Sequence, residues 1–137
     1  MSLSNAMALD VGAARIGVAI ANNVAKIASP LTFISNDSTT LEKINQLIQE
    51  HNVAVVVVGL PRGLSGQDTD QTRSAEAFTE GLKKHLMLPV FMQDEALTSK
   101  QAEAELDARG KKYQKGDVDA LAACYILSDF ISEGNGW

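Results

Sequence analysis

At 137 residues, 45% of them hydrophobic and 21% charged, the chain has the size and composition of one soluble globular domain spanning 1–137. A net charge of −5 argues against a strongly basic nucleic-acid binder, although a few local bases can still position a phosphate backbone. The apolar runs are too short for a membrane span or a signal peptide, and the lone Cys124 excludes an internal disulfide and fits a reducing cytoplasm.

Met7–Ala21 reads as a β-hairpin whose first strand carries an acid at its end. Leu9 and Val11 share one face of that strand, and Asp10 shares the other with Ala6 and Ala8. Burying a lone carboxylate is costly unless a cation or hydrogen bonds compensate, so Asp10 is a candidate metal ligand. Capping the turn is the alternative. Gly12, Ala13 and Ala14 make the turn, and a second apolar stretch, Ile16–Ala21, leaves it. A third strand over 26–34 is interrupted by Pro30, which suits a sheet edge. Leu41, Ile44, Leu47 and Ile48 then recur at helical spacing. The run Val53–Gly59 lacks polar alternation and predicts a central strand, buried on both faces and parallel to its neighbour. Leu60–Asp68, containing Pro61 and Arg62, is expected to loop at that strand's C-terminal end, the edge where open α/β sheets bind ligands.

A second helix is predicted over Thr69–Leu86, with Ala75, Phe78, Leu82 and Leu86 on its apolar stripe. Pro89–Gln93 follows as a short strand that delivers Asp94 and Glu95 to the same edge. Alternation lets only one of the two reach the centre, and spacing leaves open which. Thr98 and Gln101 fit a capping box at the start of a third helix that stops near Gly110. Lys111–Gly116 is a basic loop with one aromatic residue, Tyr113. The last helix starts near Asp117, read as a cap, and Ala120–Leu127 is apolar throughout, so the helix is largely buried. Asp119 shares a face with Ala122, Ala123 and Ile126, which suits close approach to the strand of Ala6 and Ala8. The tail Glu133–Trp137 is expected to fray.

Three segments therefore bring acids toward one place: Asp10, Asp94 or Glu95, and Asp119. Mg2+ or Mn2+ prefers such hard oxygen ligands, and two ions a few ångströms apart would activate a water and stabilise the leaving oxygen of a phosphodiester. Arg15, Arg62 and the lysine loop read either as solvated charges or as phosphate contacts.

The order of these motifs resembles the YqgF (RuvX) family of Holliday junction resolvases and pre-16S rRNA processing nucleases, in the RNase H-like superfamily. The segments that carry the likeness are Ala8–Ile20, Val57–Arg62 followed by Gly66, Gln93–Thr98 and Val118–Ala123. The resemblance implies an α/β fold with a five-stranded mixed sheet, order 3-2-1-4-5, flanked by helices. It implies Asp10, Glu95 and Asp119 as the catalytic and metal-binding acids, favouring Glu95 over Asp94. Gly12, Arg15, Pro61, Arg62 and Lys112 are the expected contacts to a nucleic-acid substrate. Ala13-Ala14, Arg62-Gly63 and Ala96 depart from the family pattern and place substrate contacts in question more than the fold.

The leading expectation is a Mg2+- or Mn2+-dependent endonuclease of structured RNA or branched DNA. Junction cutting would call for a homodimer, because two symmetric strands are cut. A binding module that keeps the fold without cleaving is the second reading. A phosphotransfer ATPase of the actin type would need two such domains, for which the chain is too short.

Overall fold

The computed structural model describes residues 3–63, 65–95, 98–110 and 112–137, with backbone alone for 98–101. In chain order the elements are β1 (Asn5–Val11), β2 (Arg15–Asn22), β3 (Ser29–Ser35), α1 (Thr40–Glu50), β4 (Val53–Pro61), α2 (Asp70–His85), β5 (Val90–Glu95), α3 (Thr98–Arg109) and α4 (Lys115–Ser132). The sheet order is β3-β2-β1-β4-β5, as the motifs led us to expect. β1, β2 and β3 are antiparallel neighbours, whereas β4 and β5 run parallel to β1. The C-terminal ends of β1, β4 and β5 consequently share one edge. Among the described residues no helix is long and apolar enough to cross a membrane.

Alternation along the strands divides the core in two. Met7, Leu9, Ile16, Val18, Val56 and Val58 pack against α1 and α2, through Ile44 and Leu82 among others. Ala6, Ala8, Ala19, Ala21, Val55 and Val57 face α4, meeting Ala123, Ile126 and Leu127. The small side chains on that second face allow α4 to lie close to the strands. Glycines bring it closer still: a Cβ on Gly59 would stand 2.3 Å from Ile126 Cδ1, and one on Gly17 would stand 1.9 Å from the backbone oxygen of Asp119.

Some boundaries differ from the sequence reading. Leu60 and Pro61 belong to β4 rather than to a loop, because they pair with Asp94 and Glu95, which are themselves within β5. The Thr72 hydroxyl donates to the Pro61 carbonyl and so ties α2 to the end of β4, while Thr69 caps that helix reciprocally with Thr72. Pro30 sits in β3 at the edge, opposite Ala19, where the register shifts. The tail does not fray: the Trp137 indole N–H donates to the Ser4 carbonyl at 3.2 Å, and Asn135 Nδ2 donates to the Phe130 carbonyl at 2.8 Å. Helix α3 starts at Thr98 as expected, while the side chains of the capping box at Thr98 and Gln101, and Ala96 as a whole, lie outside the described residues.

Candidate active site

Asp10 pairs in register with Gly17, so it shares the face that α4 covers. Because Gly17 has no side chain, the backbone of α4 at Asp119 rests directly on β2 beside that pair. The Asp119 carboxylate meets Arg15 there, Nε donating to Oδ2 at 2.7 Å in a partly buried contact. Burial pushes the Asp10 carboxyl up to about 6, and the Asp119 charge adds to the shift.

Glu95 reaches the same region from β5. Phe91, four residues earlier, packs against Phe130 of α4 at 5.8 Å between ring centroids, and alternation carries Gln93 and Glu95 to that face. Asp94 consequently points the other way and is taken by Arg62, Nη2 to Oδ1 at 3.2 Å. Glu95 is pushed up to about 9, chiefly by burial, then by hydrogen bonding and repulsion from Asp129, and further by Glu133 and Asp10. Its Oε1 is buried and has no hydrogen-bond partner. Asp129 and Glu133 are neighbours of this site that sequence reasoning missed. Their spacing of four, Asp129 in the last turn of α4 and Glu133 at its C-cap, is the available signal, obscured because Glu133 reads as tail.

The remaining predicted residues separate into three places. Gly12 closes the β1–β2 turn, its N–H donating to the Arg15 carbonyl at 2.9 Å and its carbonyl accepting from Asn36 Nδ2 at 2.7 Å. Pro61 ends β4, paired with Glu95, and the guanidinium of Arg62 is held by Asp68 as well as Asp94. Lys112 lies apart, in a groove beside β3 and α3. Asp117 caps α4, Oδ2 accepting the Gln114 N–H at 2.9 Å.

The donor set is all carboxylate, which suits a hard divalent cation, and the orphaned Glu95 Oε1 is the kind of atom such an ion satisfies. Among the described residues, however, no three His, Cys, Asp or Glu side chains form a group that could close on one ion. Arg15 engages Asp119 instead.

The elevated acids have a consequence for stability. Glu95 and Asp10 hold protons in the folded state above their ordinary values of 4.5 and 3.8, so folding is favoured by low pH. That contribution is complete below the ordinary values and is lost as pH passes about 6 for Asp10 and about 9 for Glu95. The melting temperature of metal-free protein is therefore expected to fall between pH 6 and 9, and Glu95→Gln to flatten that fall. An equally steep fall in the variant would contradict it.

The sequence profile of the family described as "RuvX: Holliday junction resolvase" matches residues 4–133. A relative from Sulfurihydrogenibium sp. (strain YO3AOP1), named "Putative pre-16S rRNA nuclease", is 38% identical over 131 residues, covering 94% of this chain and 90% of its own length. A relative of the same name from Chloroflexus aurantiacus (strain ATCC 29366 / DSM 635 / J-10-fl) is 42% identical over 129 residues, covering 91% and 84%. Among solved structures, T. thermophilus RuvC in complex with Holliday junction substrate aligns over 96% of this chain and 98% of its own, with a TM-score of 0.53 at 15% identity. The Fowlpox virus resolvase in complex with Holliday junction DNA aligns over 96% and 99%, with a TM-score of 0.52 at 14% identity. These two likenesses identify the fold as RNase H-like.

Proposed function

The chain belongs to the RuvX family of Holliday junction resolvases, and from that premise we propose that it is a divalent-metal-dependent endonuclease acting on structured nucleic acid. Its substrates on this reading are the 5′ end of pre-16S rRNA, a four-way DNA junction, or both, the second requiring a homodimer. The observation that carries the proposal is the pair of partly buried, desolvated acids Asp10 and Glu95 at the shared edge of β1 and β5, with the charge of Asp119 acting on Asp10 and that of Asp10 on Glu95. Such a concentration of carboxylate, offset by Arg15 at Asp119, is unfavourable for the fold alone and suits a cation site.

Asp10, Glu95 and Asp119 would hold Mg2+ or Mn2+, two ions on the leading reading. Bound there, the metal supplies an activated water and charge stabilisation at the leaving oxygen. The Gly12 turn sets the position of Asp10, and the Pro61 and Arg62 segment flanks Glu95 on the substrate side. Arg15 exchanges Asp119 for a substrate phosphate, and Lys112 contacts the backbone further along. The lone Cys124 suits a cytoplasmic location.

A non-cleaving binding module is the competing reading, favoured by the absence, among the described residues, of a closed three-ligand group. Calorimetric titration of Mn2+ without nucleic acid separates the two. A nuclease takes up the ion, loses it in Asp119→Asn, and binds it roughly five- to tenfold more tightly in Arg15→Ala, because a partly buried ion pair no longer competes for Asp119. No uptake, or uptake indifferent to Asp119, favours the binding module.

A further inference from the structure

An open groove of about 490 Å3 runs between β3, α3 and the first turns of α4, and none of the three metal-site acids lines it. Two of its residues are aromatic: Phe33 from β3 and Tyr113 from the α3–α4 connection, 38% and 36% exposed. Leu31 and Leu106 add apolar surface, and Arg109 and Lys112 bring positive charge.

Both rings are held in place. Phe33 lies so close over Gly116 that a Cβ there would stand 2.1 Å from its Cδ1, and the Tyr113 hydroxyl donates to Asp107 Oδ1 at 2.6 Å. Arg109 meets Glu105 at 3.5 Å, an exposed pair that a phosphate can displace. Asp117 also borders the groove, but one of its oxygens is engaged by the start of α4. The charge pattern is local. The protein is net negative, yet Arg109, Lys111, Lys112 and Lys115 are four of its twelve Lys and Arg and fall within positions 109–115, which hold no Asp or Glu. A flat π-face joined to an anion complements such a surface.

We propose that this groove binds one unpaired nucleotide of the substrate strand, its base against Phe33 and Tyr113 and its phosphate toward Lys112 and Arg109. An apolar peptide would leave the cations unmatched, and a fully paired duplex keeps its bases stacked within the helix. The inference rests on the nuclease reading for its meaning, since α4 carries both Asp119 and the groove residues Ala120 and Leu121. It narrows the substrate to one with an unpaired nucleotide near the scissile bond, such as an overhang, a bulge or a junction point.

Fluorescence anisotropy in the presence of chelator tests binding without cleavage, using a blunt duplex and the same duplex with a short single-stranded overhang, each as RNA and as DNA. The overhang is expected to raise affinity at least about fivefold in one of the two chemistries, the lower end for one base–aromatic stack. Tyr113→Ala should remove that preference and Tyr113→Phe should keep it. Equal affinity for the blunt and overhanging duplexes, or a preference that survives both Tyr113→Ala and Phe33→Leu, overturns the proposal. Metal-dependent hydrolysis of bis(p-nitrophenyl) phosphate is scored alongside. Hydrolysis without an overhang preference defeats the groove and leaves the nuclease reading, and a preference without hydrolysis does the reverse.

Discussion

Asp10→Asn is expected to reduce phosphodiester hydrolysis on the order of a thousandfold or more while raising the melting temperature of the metal-free protein. The two effects have one origin. Asp10 is largely desolvated and repelled by Asp119, so its charge is unfavourable to the fold until a cation is present. Asn has nearly the same shape and cannot ionise, which relieves the repulsion. It also withdraws a hard anionic ligand, and the loss of several kcal/mol of transition-state stabilisation sets the size of the rate effect. Cleavage assays in Mn2+ and thermal melts in chelator measure the two quantities on the same preparation. Unchanged hydrolysis would remove Asp10 from the reaction, and a lower melting temperature would contradict the electrostatic account.

Gly17→Ala is expected to cost at least about 3 kcal/mol, a large part of the roughly 5–15 kcal/mol that holds a domain of this size together. The added methyl would stand 1.9 Å from the Asp119 carbonyl oxygen and 2.1 Å from its carbon. These are helix backbone atoms, which cannot rotate aside, so α4 must lift from β2 and take Asp119 with it. Activity should disappear although every acid remains. Gly81→Ala is the control: a Cβ at this α2 position meets nothing within 4 Å, and the exchange should stabilise by roughly 0.5–1 kcal/mol through helix propensity. Urea denaturation of both variants checks the contrast, and a Gly17→Ala protein as stable as wild type would show that α4 has room to move.

The strand order was legible through the likeness of the motifs to a known family, and composition marked individual strands within it. The run from Val53 is apolar on both faces and is central, while Pro30 marks an edge. The choice between Asp94 and Glu95 was not legible from spacing, because alternation separates the two faces without saying which one meets α4. The contact of Phe91 with Phe130 puts Glu95 on the α4 face, and those two rings are 39 positions apart along the chain. The pairing of Arg15 with Asp119 is equally remote, since it depends on how closely α4 crosses β2 at Gly17. Arg62 read as a loop cation toward substrate, yet its two acidic partners come from Asp68 nearby and Asp94 on another strand. Neither partner follows from periodicity.

The hydrogen bond from Trp137 to Ser4 makes the protein its own spectroscopic probe. Trp137 is the only indole in the chain, and it packs beside the cluster formed by Ala6 and Phe130. Its emission should shift to the red when β1 and the end of α4 part, giving a label-free signal of global opening with no added dye or engineered chromophore.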